Sequence, residues 1–471
     1  MLFNSFNFVA LVLITLALYY TPALRRWQVP ILIASSFTFY AANLPVLLLL
    51  LIFSIAINIG TSYVVMHGNP AKRKAYATFG VVLNLAVLAF FKYAFLFGGM
   101  FFSAESTVGQ FLLSIPLPVG ISFFTFQGIS LVVDTYKSKD VEEYKSLVPK
   151  SMLQHSFNTS FFISFFPQLV AGPIVKAHDF IPQIKPKFFK EINWEVAFRI
   201  IVLGFFLKMV VADNMKDHTF WISFPEFQAR STMTLLIMLF GYSMQIFADF
   251  AGYSLIAIGL ARLFGYVLFD NFNFPYISRT FSEFWRRWHI SLSTFLKEYL
   301  YIAMGGNRKG DLRTYLNLMI TMFLGGLWHG AAWSYAIWGS FHGIALAVER
   351  FSSKYIKVPR NAFWDTLRIL MVFTFITLAW LLFKLPEFSH VVEFFNSLFN
   401  NTERKTGFKI IVFVLLYSIP VVLYHVYYLY WNKKGEGENK LAWIEPYLYG
   451  GMLFFIITNA GSAQEFIYFQ F

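Results

Sequence analysis

The chain contains no cysteine. A disulfide framework, a thiolate zinc site, a cysteine nucleophile and palmitoylation are therefore excluded. Charge is scarce as well. Asp, Glu, Lys and Arg make up 13% of the 471 residues, about half the share of an ordinary soluble domain. Acidic residues are the scarcer sign, at 25 against 38 basic ones, a difference of 38 − 25 = 13. Low-complexity runs and fixed-period repeats are absent, and no polar stretch is long enough to form a separate soluble domain.

Apolar residues fill the space. The chain is 57% hydrophobic and 20% aromatic, and runs of about 20 apolar residues recur along it. Roughly fourteen such stretches, from 3–22 to 443–459, predict about eleven true spans plus re-entrant or interfacial pieces. Met1 to Tyr20 lacks a basic leader and continues into further apolar segments, so it reads as a first span and not a cleaved signal. The expected fold class is an all-α polytopic membrane protein, with 1–471 as a single domain. The basic excess would suggest nucleic acid in a soluble protein. Here it sits in short loops: Arg25-Arg26, Lys72-Arg73-Lys74, Lys185 to Lys190, Arg308-Lys309 and Lys433-Lys434. That is the bias of cytoplasmic loops, including their contact with anionic lipid head groups.

Several apolar runs are interrupted, at Pro116 and Pro118, at Pro167 and Pro173, and at Gly325-Gly326. A helix can break at membrane depth only where protein or water covers the freed backbone groups. The breaks therefore predict an enclosed cavity. The segment 281–300 has another character. Phe281, Phe284, Trp285, Trp288, Leu292, Phe295, Leu296 and Tyr299 recur at helical spacing opposite Glu283, Arg286, Arg287 and Lys297. This predicts one amphipathic helix lying in the membrane interface. His289 falls at the edge of its apolar stripe, placed to face inward.

The segment 312–348 carries the sharpest chemical signal, Gly325-Gly326-Leu327-Trp328-His329-Gly330-Ala331-Ala332-Trp333. An ionisable side chain within apolar sequence is costly and marks a functional site by default. His329 is either a packed core histidine or a catalyst. A neutral imidazole, in a pocket made by Trp328 and Trp333, can accept a proton from a hydroxyl. His342 lies about 220° around a continuous helix from His329, so it pairs with it only if the helix breaks between them. His289 is either a second catalytic histidine or an interfacial one. Trp285 flanks it on the apolar stripe. Asp249 ends an apolar run and either orients a histidine or pairs with a cation such as Arg262 or Arg279. Gly305 to Gly310 is a glycine-rich basic loop. Its Asn307, Arg308 and Lys309 suit phosphate, including that of coenzyme A, or form a plain turn. It is neither a Walker loop nor a dinucleotide fingerprint. No metal is expected, since HExxH-type spacing and thiolates are both missing.

These pieces together resemble a known family. They are Pro118 to Gln127, Phe166 to Ile174, Phe284-Trp285-Arg286-Arg287-Trp288-His289-Ile290-Ser291-Leu292-Ser293, Tyr299-Leu300-Tyr301-Ile302 followed by Gly305-Gly306-Asn307-Arg308, Gly326-Leu327-Trp328-His329-Gly330, and Glu465 to Phe469. Their order resembles the membrane-bound O-acyltransferases (MBOAT), above all the bacterial branch that acetylates alginate. The resemblance implies a bundle of about eleven transmembrane helices around a central tunnel, in the bacterial inner membrane. It implies transfer of an acetyl group from cytoplasmic acetyl-CoA toward a secreted polysaccharide, through an extracytoplasmic acetyltransferase partner, with no permanently bound cofactor. The family's catalytic histidine maps onto His329 and its second histidine onto His289. Peptidoglycan O-acetylation and teichoic-acid D-alanylation are the alternatives on the same fold. One departure is plain: Asp249-Phe250-Ala251-Gly252-Tyr253-Ser254 is followed by Leu255, where the branch has a second acid.

The implied mechanism has His329 as general base, with Trp328 N–H or His289 as donor to the oxyanion, or else a transient acyl group on His329 itself. A rival from another class is a proton-coupled transporter with an intramembrane histidine relay. The sequence has few acidic residues within its spans and no two-halves symmetry to support it.

Overall fold

The computed structural model describes the chain except residues 2, 43, 104–105, 115–117, 171, 360, 432–442, 463–465 and 467–471. Pro116, Lys433-Lys434, and Glu465 with Ile467 to Phe469 lie outside the described residues. The described residues form helices joined by turns and irregular segments, with no strand among them. Among the described residues, five helices are long and apolar enough to cross a membrane: Val46–His67, Pro70–Ala94, Thr232–Leu263, Ala362–Lys384 and Phe408–Leu429. A sixth span arises if Phe6–Tyr20 and Pro22–Ala41, bent by 104°, are taken together. Length and apolarity alone pick out fewer spans than the eleven or so expected, while the helical, multi-span fold agrees with the expected class. Helices such as Ile121–Lys137, at 17 residues, stand at the lower limit of a spanning length, and others are interrupted or polar. The first bend follows from its sequence. Thr21 is extended and Pro22 opens a 3₁₀ turn over Pro22–Trp27, because proline cannot continue the hydrogen-bond ladder.

The chain forms two compact units, one of residues 1–201 with 255–269 and the other of 202–254 with 270–471. In the first, polar side chains tie apolar helices together. The Asn58 and Asn84 amides exchange hydrogen bonds of 3.1 and 3.0 Å between Val46–His67 and Arg73–Phe101. Ser62 pairs with His155 at 2.9 Å. With no water at membrane depth, each such group must find a protein partner. Phe161, Phe165, Phe180 and Tyr266 form the aromatic centre, with neighbouring rings 5.0 to 5.6 Å apart. The helix Met152–Ser164 stops where Pro167 begins a single turn, Phe166–Leu169.

The second unit carries the histidine segments. Its largest packing is between Gly310–His329 and Trp333–Ser352, two helices in a tight antiparallel pair. The sequence predicts a break at Gly325-Gly326, but the helix runs through both glycines and ends at His329. Gly330 is extended, with φ −169° and ψ 165°. The glycines serve close approach instead. A Cβ on Gly326 would collide with the Tyr335 carbonyl and come within 3.0 Å of Gly339 Cα, and one on Gly339 would collide with the Met322 carbonyl.

The segment 281–300 also differs from the single amphipathic helix expected. It forms Phe281–Arg287, then Ile290–Phe295, then a wide turn over Leu296–Tyr301. Trp288 is extended, and His289 is left-handed at φ 43°. The broken ladder is repaired by the strand-like run before it: Asn273 N–H donates to Arg287 O and Ile290 N–H to Asn271 O, both at 2.9 Å. Backbone groups freed at a buried break need such partners. Trp288, the pivot, is 1% exposed and packs on Trp380 at 4.9 Å.

Candidate active site

His329 closes the helix Gly310–His329 and is 4% exposed. Its ring lies 5.0 Å from Trp328, 5.0 Å from Phe383 and 5.3 Å from Trp338. It lines a cavity of about 200 Å³ with Trp285 and Trp338, the apolar side chains Leu292, Leu296 and Met322, and the polar Lys297 and Tyr301. The pocket-forming role expected of Trp333 falls to other tryptophans: Trp333 is 57% exposed, whereas Trp285 and Trp338 stand at the cavity wall.

The left-handed turn brings His289 to the same place. Its ring centroid is 6.4 Å from that of His329 and 5.9 Å from Trp328, and Phe250 meets it edge-on at 4.6 Å. His289 is 1% exposed. Burial disfavours the cation and pushes its pKa down to about 3. Both histidines of the sequence reading thus share one neighbourhood. His342, 13 residues beyond His329, sits on the separate helix Trp333–Ser352. Trp338 touches both, 5.3 Å from His329 and 4.6 Å from His342.

Asp249 finds a cation other than the arginines considered. Lys208 Nζ donates to Asp213 at 2.6 Å and forms an ion pair with Asp249 at 2.7 Å, with all three side chains at most 5% exposed. Arg279 instead reaches Asp365, at 3.3 Å. Gly252, one turn after Asp249, permits the approach, since a Cβ there would lie 2.9 Å from Gly204 O and Lys208 N. Lys208 and Asp213 lie outside the short loops where most of the charge of the sequence is gathered. Their signal was readable: a lysine inside an apolar run must be neutralised by an acid that is equally buried. Asn271, which meets His289 through its side chain at 3.2 Å, had no such signal. Asn307, Arg308 and Lys309 are exposed in a turn stabilised by Asn317 donating to Gly306 O at 2.9 Å. They do not line the cavity, which takes its polar wall from Lys297 and Tyr301. No group of three or more His, Asp or Glu side chains among the described residues is clustered as a metal site.

The sequence that builds this buried histidine pair and its apolar cavity matches a family model. The model described as "MBOAT, membrane-bound O-acyltransferase family" matches residues 102–388, a stretch that contains both histidines. The chain belongs to the membrane-bound O-acyltransferase family. It is a multi-pass membrane acyltransferase and so uses an acyl-donor substrate. Among relatives of this acyltransferase, a probable alginate O-acetylase AlgI from Azotobacter vinelandii is 34% identical over 90% of this chain and 84% of its own length. The peptidoglycan O-acetyltransferase of Helicobacter pylori is 37% identical over 75% of this chain and 70% of its own. The teichoic acid D-alanyltransferase of Bacillus subtilis is 28% identical over 58% and 70%.

Proposed function

We propose that the protein takes an acetyl group from cytoplasmic acetyl-CoA and delivers it toward a secreted, alginate-like polysaccharide, with His329 as general base. The observation that carries this reading is His329 on the wall of a small, mainly apolar cavity between Trp285 and Trp338. Such a cavity accepts an acyl thioester and keeps bulk water from hydrolysing it. The His329 imidazole takes the proton of the attacking hydroxyl as its oxygen bonds to the thioester carbonyl carbon. The C–S bond then breaks, and the departing thiolate recovers that proton. His329 caps the carbonyl end of its helix, where the macrodipole favours the transient positive charge.

The polysaccharide acceptor is supported by the alginate O-acetylase relative, which spans 90% of the chain. A partner acetyltransferase outside the cytoplasmic membrane would receive the acetyl group and place it on the polymer. The peptidoglycan relative, more similar over a shorter stretch, favours peptidoglycan as second reading. The D-alanyl relative matches only 58% of the chain.

The test uses membrane vesicles, labelled acetyl-CoA, and either an alginate-like polymer or peptidoglycan strands. His329→Ala should lose about 10²–10⁴-fold in transfer rate while expression and insertion stay normal. An inserted variant that transfers at the native rate removes His329 from the reaction. Label appearing only on peptidoglycan moves the assignment to the second acceptor.

A further inference from the structure

The geometry assigns to Asn271 the task of orienting His289: it holds the imidazole as its neutral Nδ1–H tautomer and leaves Nε2 as the accepting atom of a ring whose centroid lies 6.4 Å from that of His329. The inference rests on the preceding reading that the two histidines serve one acyl transfer, but the tautomer itself follows from hydrogen bonding alone.

An asparagine amide normally leaves its oxygen and nitrogen interchangeable. Here a backbone group decides between them. The N–H of Ser291 points to the Asn271 side chain at 3.2 Å, and a backbone N–H only donates, so the atom facing it is Oδ1. The Ser291 hydroxyl donates to the same oxygen at 2.8 Å. His289 Nδ1 lies 3.2 Å from that oxygen. An oxygen that already accepts has nothing to give, so Nδ1 must carry the hydrogen. The other end of the amide is also fixed, since Nδ2 donates to Ser254 Oγ at 3.2 Å, and Ile290 N–H binds the Asn271 carbonyl. Asn271 and His289 are each 1% exposed, so water does not compete for these groups.

The chemistry of the fixing group matters as much as its position. Partners that hold the second nitrogen of a histidine commonly set its tautomer. A carboxylate in this place would also stabilise the imidazolium. A neutral amide sets the tautomer without that bias. Among the described residues, the rings packed on His289 from the neighbouring elements include Phe250 from Thr232–Leu263, and Trp328 and His329 from Gly310–His329. His329 is the titratable one among these. Asp249, beside Phe250 in sequence, is held by Lys208. The consequence is a restriction on mechanism. With its one N–H committed to Asn271, neutral His289 cannot donate to a developing oxyanion. It acts by accepting a hydrogen bond, from the acceptor hydroxyl or from His329.

The tautomer can be read without any turnover. In full-length protein in lipid nanodiscs labelled with ¹⁵N-histidine, the His289 signals are identified by difference against His289→Gln. At neutral pH they should report a protonated Nδ1 and a bare Nε2. The opposite tautomer, or an imidazolium, overturns the proposal whether or not the protein transfers acetyl groups. Asn271→Asp keeps the accepting oxygen and adds a charge, so the pH at which His289 protonates should rise by about one unit or more. An unchanged protonation midpoint counts against the assignment. Asn271→Leu removes the constraint and should lower kcat by about 10–100-fold, with little change in KM for acetyl-CoA. A folded Asn271→Leu variant with native kcat overturns the positioning role. Absence of transfer by the wild type with every acceptor removes the acetyl-transfer reading and leaves the tautomer result standing.

Discussion

The polar residues inside this protein are placed under strict electrostatic accounting, and Lys208 shows it most directly. Its side chain is 4% exposed, and its ammonium contacts two carboxylates within 2.7 Å and lies over the Tyr253 ring at 5.3 Å. Removing the cation leaves Asp213 and Asp249 facing each other without compensation. Breaking a buried pair in this way costs about 3–5 kcal/mol. Lys208→Met should therefore lower the thermal unfolding temperature in detergent sharply. Adding Asp213→Asn and Asp249→Asn should recover most of the loss, because the penalty belongs to the uncompensated charge and not to lost packing. A Lys208→Met protein as stable as the parent would mean the cluster is hydrated and contributes little. His329 and His289 were legible as single residues, because an ionisable group in apolar sequence stands out. Asn271 was not legible, since its role depends on a turn that brings it back against Ser291.

At the scale of elements, the sequence pattern specifies the composition of a helix but not its continuity. The apolar spacing of 281–300 is helical, and two of its three pieces are α-helix. Nothing in the periodicity reveals that Trp288 becomes extended and His289 left-handed, because the cause is the backbone pairing to 271–273. The glycine pair failed in the opposite sense. Gly325-Gly326 reads as a break, yet the helix is continuous and Gly326 is where Trp333–Ser352 crosses it. A crossing is a tertiary fact that no single helix encodes. It also makes a prediction. Gly326→Ala places a Cβ against the Tyr335 carbonyl and Gly339, and overpacking of this kind costs about 1–3 kcal/mol. Gly60 lies on Val46–His67 with nothing within 4 Å of a built Cβ. Gly60→Ala should instead stabilise by about 0.5–1 kcal/mol through helix propensity. Unfolding curves for the two variants should move in opposite directions. Equal shifts would show that the crossing is loose.

For the whole molecule, the missing cysteines and the basic loops combine into a test of orientation. Within the first unit, three basic regions share one end through direct contacts. Arg25 stands over the Phe188 ring at 4.6 Å, and the Gln28 amide both donates to and accepts from the Lys187 backbone, at 2.9 and 3.0 Å. Arg26 and Trp27 line a cleft of about 590 Å³ with Ser151 and Gln154. The adjoining Lys150 and Pro149 carbonyls meet Tyr63 at 3.0 Å and His67 at 3.3 Å, at the end of Val46–His67 just before Lys72-Arg73-Lys74. Loops bearing Arg25-Arg26, Lys72 to Lys74 and Lys185 to Lys190 therefore lie at one end of this unit, and the positive-inside bias predicts that this end faces the cytoplasm. With no native thiol, a cysteine introduced at exposed Arg26, Lys74 or Lys190 is the sole target for a membrane-impermeant maleimide. All three should react in inverted vesicles and stay unlabelled in right-side-out ones. If the three divide between the two faces, the shared end is wrong. If all three react from outside, the charge bias misassigns the face, and a donor thioester arriving from the cytoplasm would have to enter elsewhere.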